Sequence, residues 1–263
     1  MIPARGGSKG IPRKNLALLA GRPLLAYTTD AARGSRRLSR VVISTEDEEI
    51  AGIARQLGVD VPFLRPAHLA ADETPMLDVL TDLVASLERT ERYRPDVLVL
   101  LQPTSPFRRA GHIDAAVDLL TSTGADSVVT VVPVPHQFTP SSLMRLEGDR
   151  LVPWTEGPPE GGHYDQSVDQ SGDQSGDQSG DQSDDRSGVV SGFSRTPTRR
   201  QDKPLLFARN GPAVVAVQTR IVTERHTLYG PDTRGLVMAR EESFDIDDAF
   251  DLEVAERLMA SRT

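Results

Sequence analysis

The 263-residue sequence contains no cysteine, one tryptophan, and aromatic residues at only 5% of positions. The absence of cysteine excludes disulfide stapling, thiolate nucleophiles and thiolate metal ligands. No apolar run reaches the length of about 18 residues needed for a membrane-spanning helix, and no export signal is legible at the start. A soluble, cytoplasmic protein without a membrane partner is therefore expected. A broad excess of basic charge is missing too. The formal net charge is −8, but residues 165–186 hold seven Asp and one Arg, so the rest of the chain is close to neutral. A near-neutral body excludes a nucleic-acid surface, which needs an extended basic face, and points to a small anionic ligand.

Carboxylates are also missing from the beginning of the chain, where the first is Asp30. Their place is taken by Ile2-Pro-Ala-Arg-Gly-Gly-Ser-Lys-Gly-Ile-Pro-Arg-Lys-Asn15, which brings three glycines, a hydroxyl and four cations into fourteen residues. Glycines allow the backbone to bend and present N–H groups to a ligand. Ser8 adds a donor, and Arg5, Lys9, Arg13 and Lys14 add positive charge. On charge and glycine alone this is either a phosphate cradle or an exposed basic turn. It is not a Walker loop, because the Gly-x4-Gly-Lys-Ser/Thr spacing is absent.

At this length one α/β domain with a real core is expected. Residues 23–32 read as a helix opened by Pro23, and residues 41–44 as a short buried strand. Thr45 is expected to cap an acidic helix running to about Leu57, with Glu46, Asp47, Glu48 and Glu49 as cap and dipole partners. Residues 59–64 can form a further strand, and a helix is expected over about 76–89. The clearest buried strand, 96–101, delivers Gln102-Pro-Thr-Ser-Pro-Phe-Arg108 at its carboxyl end, where open α/β sheets bind ligands. That turn could serve a site, cap the helix over 110–120, or do both. Residues 127–132 form another core strand, a hairpin is expected around 147–149, and a strand is expected over 213–217. Near the end, Phe244-Asp-Ile-Asp-Asp-Ala-Phe-Asp-Leu252 alternates so that Asp245 and Asp247 share one face and Ile246 the other. Two carboxylates on one face suit Mg²⁺ (or Mn²⁺), although on the residues alone helix capping by Asp247 or Asp248 is the better account of the pattern. His68, alone in a loop, reads as a surface bystander.

From Pro3 to Asn15 the sequence closely resembles the signature of the acylneuraminate cytidylyltransferase (CMP-sialic acid synthetase) family. Further matches are the Arg65-Pro-Ala-His-Leu-Ala-Ala-Asp72 loop, Gln102-Pro-Thr-Ser-Pro106, the stretch from Arg200 to Gly211, and Asp245-Ile-Asp. The resemblance implies a Rossmann-like nucleotidyltransferase fold with a mostly parallel central sheet flanked by helices. It also implies CMP transfer from CTP to a nonulosonic acid in a homodimeric enzyme. By resemblance, Ala4, Arg5, Gly6, Gly7, Ser8, Lys9, Lys14, Asn15 and Arg65 bind the nucleotide, with Arg5, Lys9 and Lys14 acting on the triphosphate. Gln102, Thr104, Ser105 and Arg200 would hold the sugar acid, and Asp245 and Asp247 the metal. The chain departs from the family pattern at Met76, Ala208 and Val214, and lacks a lysine expected after residues 135–142. Only Met1 and Ile2 stand where relatives carry a longer apolar strand, so a start codon placed too far downstream is expected. Rival readings are a pseudaminic or legionaminic acid substrate, a glycosyltransferase with an Asp-x-Asp metal site, and a degenerate nucleotide-binding relative.

The catalytic domain is expected to comprise residues 1–155 and 199–263. Between them, over 156–198, Asp-Gln-Ser recurs at 165, 169, 173, 177 and 181. With almost no apolar residues to offset ordering entropy, this insert is expected to be disordered. Its period of four does not match the nine-residue calcium repeats of β-helices.

Overall fold

The computed structural model describes residues 1–153, 205–209, 211 and 213–262, so the Asp-Gln-Ser insert, Arg200 and Asn210 lie outside the described residues. The chain divides into two compact units, Met1–Pro133 with Phe207–Thr263, and Val134–Leu206.

The larger unit is an α/β layer structure. Its strands are β1 (Ile2–Pro3), β4 (Ile43–Ser44), β5 (Val97–Leu100), β6 (Ser127–Pro133), β9 (Phe207–Ala208), β10 (Val215–Gln218) and β11 (Thr233–Val237), with a small ladder of β2 (Leu18–Leu19) and β3 (Arg22–Pro23). The main sheet has the order β11-β6-β10-β5, and β9 joins β6. β11 runs parallel to β6, whereas β10 is antiparallel to both β5 and β6. β1 pairs in parallel with β4, and Met1 bridges toward β5, its N–H₃⁺ donating to Val99 O (2.7 Å) and its carbonyl accepting from Leu101 N (3.0 Å). The main sheet is thus mixed instead of mostly parallel: only β11 and β6 pair in parallel, and β10 and β9 run against their neighbours.

Period-two alternation divides the strands between two cores. Val99, Leu101, Val128, Val214 and Ala216 pack with residues of α1 (Leu24–Arg33), α2 (Glu48–Gln56) and α4 (Ala110–Thr123). Leu98, Leu100, Val129, Val215 and Val217 face α3 (Met76–Glu91) and α5 (Thr219–Arg225). Helices on both faces are what continuous Val/Leu runs require, since neither side of such a strand tolerates water. A third cluster joins Ile11, Leu19, Leu24 and Phe107 to Ile246 and to Ala255 of α6 (Ala249–Ala260).

Several local expectations are corrected. α2 is capped by Asp47, whose carboxylate accepts from Ile50 N (3.0 Å), while the Thr45 hydroxyl accepts from Asp47 N (3.1 Å). Residues 59–64 form no strand, only a parallel bridge between Asp60 and Val42. Pro23 stands just before α1 instead of in its first turn. Of the two capping candidates for α6 it is Asp248 that caps, in a reciprocal box with Asp251, as one of the two expectations had it, and the Asp247 carboxylate takes no part in the cap. No helix among the described residues is long and apolar enough to cross a membrane.

In the smaller unit, short 3-10 turns at His136–Phe138 and Pro140–Ser142 precede the expected hairpin, β7 (Met144–Glu147) and β8 (Arg150–Pro153), which turns at Gly148 with φ +66°.

Candidate active site

The carboxyl ends of the parallel strands β1, β4 and β5 release three loops side by side. Pairing of Ile2 with Ile43 and Pro3 with Ser44 sets the glycine loop next to residues 45–47. Glu46 accepts the Gly6 N–H (2.7 Å), and its second oxygen lies 3.6 Å from Arg65 Nη2. Arg65 is buried and donates to the carbonyls of Ser44 (2.8 Å) and Leu69 (3.3 Å), and burial lowers its pKa. Arg13 turns the loop from a left-handed conformation, φ 52°, which costs a non-glycine residue about 1–2 kcal/mol. It is held there by ion pairs to Asp47 (3.1 Å) and Glu49 (2.9 Å) and by Leu16 N–H donating to its carbonyl (2.8 Å).

Two loop glycines make close approaches, one to a side-chain carboxylate and one to backbone, and only the second has no easy relief. A Cβ on Gly6 would lie 2.5 Å from Asp47 Oδ2, and one on Gly10 would run into the backbone oxygen of Asp247. Gly7, by contrast, faces open space. Asn15 is buried and its amide donates to Arg5 O (2.8 Å), bracing the loop from inside.

Lys14 ties the beginning of the chain to its end. Its ammonium donates to Ile246 O (3.0 Å) and reaches Asp247 O and Oδ1 (both 3.4 Å). Ile246 is fully buried against Ile11 and Phe107, and its N–H donates to Thr104 O (2.9 Å). Asp245 and Asp247 flank this anchor. Asp245 is half-buried, which raises its pKa, and accepts from Ser105 Oγ (3.4 Å); Asp247 is exposed. Gly211 leaves the Asp245 carboxylate its room, because a Cβ there would strike it. No group of three or more His, Cys, Asp or Glu side chains that could hold a metal occurs among the described residues. Two hard carboxylates still fit Mg²⁺, which takes one or two such ligands and completes its shell with phosphate and water oxygens.

These loops border one cavity of about 320 Å³. From the glycine loop it receives Arg5, Gly7, Ser8, Lys9, Lys14 and Asn15, and from the other loops Arg65, Gln102, Thr104 and Asp247. Ala4 is buried, the Gly6 N–H is engaged with Glu46, and neither lines it; Ser105 and Asp245 stand behind Thr104 and Asp247. Met76 lines the cavity where relatives were expected to carry a hydroxyl, and the Thr74 hydroxyl donates to His68 O (3.2 Å). His68 is exposed. Val214 is fully buried in the core, and Arg209, beside Ala208, stacks on Tyr229 at 4.3 Å.

Three participants were not singled out from the sequence. Asp72 pairs with both Arg5 (2.7 Å) and Lys9 (3.0 Å), and its hydrogen bond from Lys9 holds its carboxyl below the usual range. Glu46 grips the glycine loop, and Arg108 lies fully buried under Gln102. Asp72 belongs to a quoted motif and was findable; the other two sit in stretches that read as a helix start and a loop.

A cytidylyltransferase family profile matches residues 1–145. The CMP-N,N'-diacetyllegionaminic acid synthase of Legionella pneumophila is 32% identical over 98% of this chain and 94% of its own length. The N-acylneuraminate cytidylyltransferase of Escherichia coli is 29% identical over 97% of this chain, which spans half of that protein. Among solved structures, CMP:2-keto-3-deoxy-manno-octonic acid synthetase complexed with CTP covers the whole chain and 98% of its own, with a TM-score of 0.62 at 15% identity. The 4-diphosphocytidyl-2C-methyl-D-erythritol synthase of Anaerococcus prevotii covers 98% of the chain and 94% of its own, with a TM-score of 0.57 at 9% identity. The two structures share the fold alone, but the family profile and the Legionella relative go further: the chain belongs to the cytidylyltransferase family, in the group that includes the N-acylneuraminate and CMP-legionaminic acid enzymes.

Proposed function

We propose that the protein transfers CMP from CTP to the anomeric hydroxyl of a nonulosonic acid and releases pyrophosphate. The observation that carries this reading is the single cavity bordered at once by the cationic glycine loop, the Gln102 turn and Asp247. In the reaction the hydroxyl oxygen bonds to the α-phosphorus, the bond to the β-phosphate bridging oxygen breaks, and the hydroxyl proton leaves to solvent. Arg5, Lys9 and Lys14 neutralise the triphosphate and the departing pyrophosphate, with Ser8 and the Gly7 backbone as hydrogen-bond donors. Asn15 keeps the loop in its cradle shape, and Arg65 borders the nucleotide. Gln102, Thr104 and Ser105 position the sugar acid, with Arg200 assigned to its carboxylate.

Asp245 and Asp247 would hold Mg²⁺ (or Mn²⁺), which when bound would supply charge neutralisation at the phosphate and a lower pKa for the attacking hydroxyl. The active protein is a homodimer in the cytoplasm, with sialic, legionaminic or pseudaminic acid as acceptor.

The test is pyrophosphate release from CTP and Mg²⁺ across a panel of nonulosonic acids and KDO, with the CMP-sugar identified by mass. Turnover that needs both substrates and disappears in Asp245→Ala supports the proposal. A folded protein that releases no pyrophosphate with any acceptor would refute it.

A further inference from the structure

Arg108 is 3% exposed and has no ion-pair partner among the described residues. Placing a guanidinium in a core without a contacting carboxylate is costly unless its donors are satisfied; Asp245 opposes the effect of burial from a distance, and Nε has no hydrogen-bond partner among the described residues. Burial pushes its pKa down to about 9, so it still carries its charge at neutral pH. Its fork reaches three acceptors on three separate elements. Nη1 donates to Gln102 O (3.1 Å) at the end of β5 and to Ala213 O (2.5 Å) at the entry to β10, and Nη2 donates to Thr28 Oγ (2.5 Å) on α1. The Thr28 hydroxyl in turn donates to the same Gln102 carbonyl (3.3 Å). Thr28 is itself 1% exposed. The Gln102 carbonyl is therefore pinned by two buried donors, while Gln102 is one of the residues that border the cavity.

We propose that Arg108 and Thr28 are positioning residues: a buried clamp that fixes the backbone of Gln102 and thereby aims its amide at the sugar acid. This rests on the assignment of Gln102 to the sugar-acid end of the site. The hydrogen bonds of the clamp reach neither the glycine loop nor Lys14, and both Arg108→Lys and Thr28→Val keep the charge that acts on Asp245, so the effect of these changes should fall on the sugar acid and not on CTP. Lysine keeps the charge but lacks the planar fork that can hold three acceptors together. Valine at position 28 keeps the shape and removes the hydroxyl that both accepts from Arg108 and donates to Gln102.

Two measurements on the full chain decide the matter, each with Arg108→Lys and with the milder Thr28→Val should the lysine variant fail to fold. The first is amide hydrogen exchange without substrate. Exchange over residues 101–109 should rise by about tenfold or more while residues 4–15 keep their protection. The second is steady-state kinetics, where KM for the sugar acid should rise about tenfold and KM for CTP stay within about twofold. In a Gln102→Ala background the Thr28→Val change should add nothing to the sugar-acid KM, because its route of action is gone. Unchanged exchange over 101–109 overturns the clamp, and so does an equal rise in both KM values or additivity with Gln102→Ala. If the wild-type protein turns over no sugar acid, the functional proposal falls, and the exchange measurement alone decides whether the clamp exists.

Discussion

Replacing Gly10 with alanine should separate a site built from both ends of the chain from a mere neighbourhood of loops. The added methyl would run into the Asp247 backbone oxygen, with Asp247 C at 3.3 Å and Asp248 Cα at 3.6 Å. A side-chain tip could swing away; a main-chain carbonyl moves only with its segment. That segment is held by Ile246, fully buried, and by the Ile246 N–H to Thr104 O bond, so it resists. Overpacking of this kind costs about 1–3 kcal/mol, and in a domain of this size each kcal/mol lowers the melting midpoint by about 2–4 °C. The displacement also lifts Ile246 O and Asp247 O away from Lys14 Nζ, which now reaches them at 3.0 and 3.4 Å. A shift of about 1 Å at reacting groups costs on the order of 10²-fold in turnover. The assay pairs thermal unfolding with pyrophosphate release, using Gly7→Ala as the stability control because nothing lies within 4 Å of its added methyl. Equal stability and turnover in Gly10→Ala and wild type would refute the packing argument.

Other perturbations test the charges around the site. Asp72→Asn frees Arg5 and Lys9 from an exposed anion that competes with phosphate, so KM for CTP should fall about two- to fivefold, read from initial rates at fixed acceptor. Asp47→Ala removes the cap of α2 and a partner of Arg13, and should cost about 1 kcal/mol in urea unfolding at neutral pH. Its carboxyl is held below the ordinary value of 3.8, chiefly by the Ile50 N–H, so this contribution persists above about pH 4 and fades as pH falls through the lowered pKa. His112 accepts the Arg109 N–H at Nδ1 (3.1 Å), which leaves Nε2 to donate to Glu242 (3.1 Å). Burial, with Arg109 and Arg108 nearby, lowers its pKa below 6.5 against the opposing pull of Glu242. Its stabilisation is present above pH 6.5 and is lost as pH falls through the lowered pKa, so His112→Gln should flatten the stability profile on the acid side of pH 6.5.

The sequence disclosed most where a signal was continuous. The Val/Leu runs that became β5 and β6, the hairpin at Gly148, and the alternation that buries Ile246 between two aspartates all follow from local period and turn chemistry. The direction of β10 was not legible, since Val215–Gln218 has the same composition whichever way it runs. Nor were Glu46 and Asp47 visible as loop partners. Their contacts to Gly6 and Arg13 span 40 and 34 residues, and an acidic helix start looks the same with or without them. Arg108 was hidden for a related reason. An arginine in the run Phe107-Arg108-Arg109 suggests a solvated turn, and only the tertiary fold shows that the first is buried and the second exposed.

The bond between Lys14 and Ile246 closes a loop of 232 residues, and this governs when the site can exist during synthesis. Translation at about 5–20 residues per second leaves the glycine loop without its distal partner for tens of seconds. Nucleotide binding that depends on both ends therefore cannot stabilise the nascent chain, and any product truncated before residue 246 lacks the Asp247 border of the cavity and the anchor of Lys14. Closure entropy grows only with the logarithm of loop length, so including residues 156–198 within that loop adds only about 0.2 kcal/mol. A repeat array can lengthen there at almost no thermodynamic cost to the joining of the two ends.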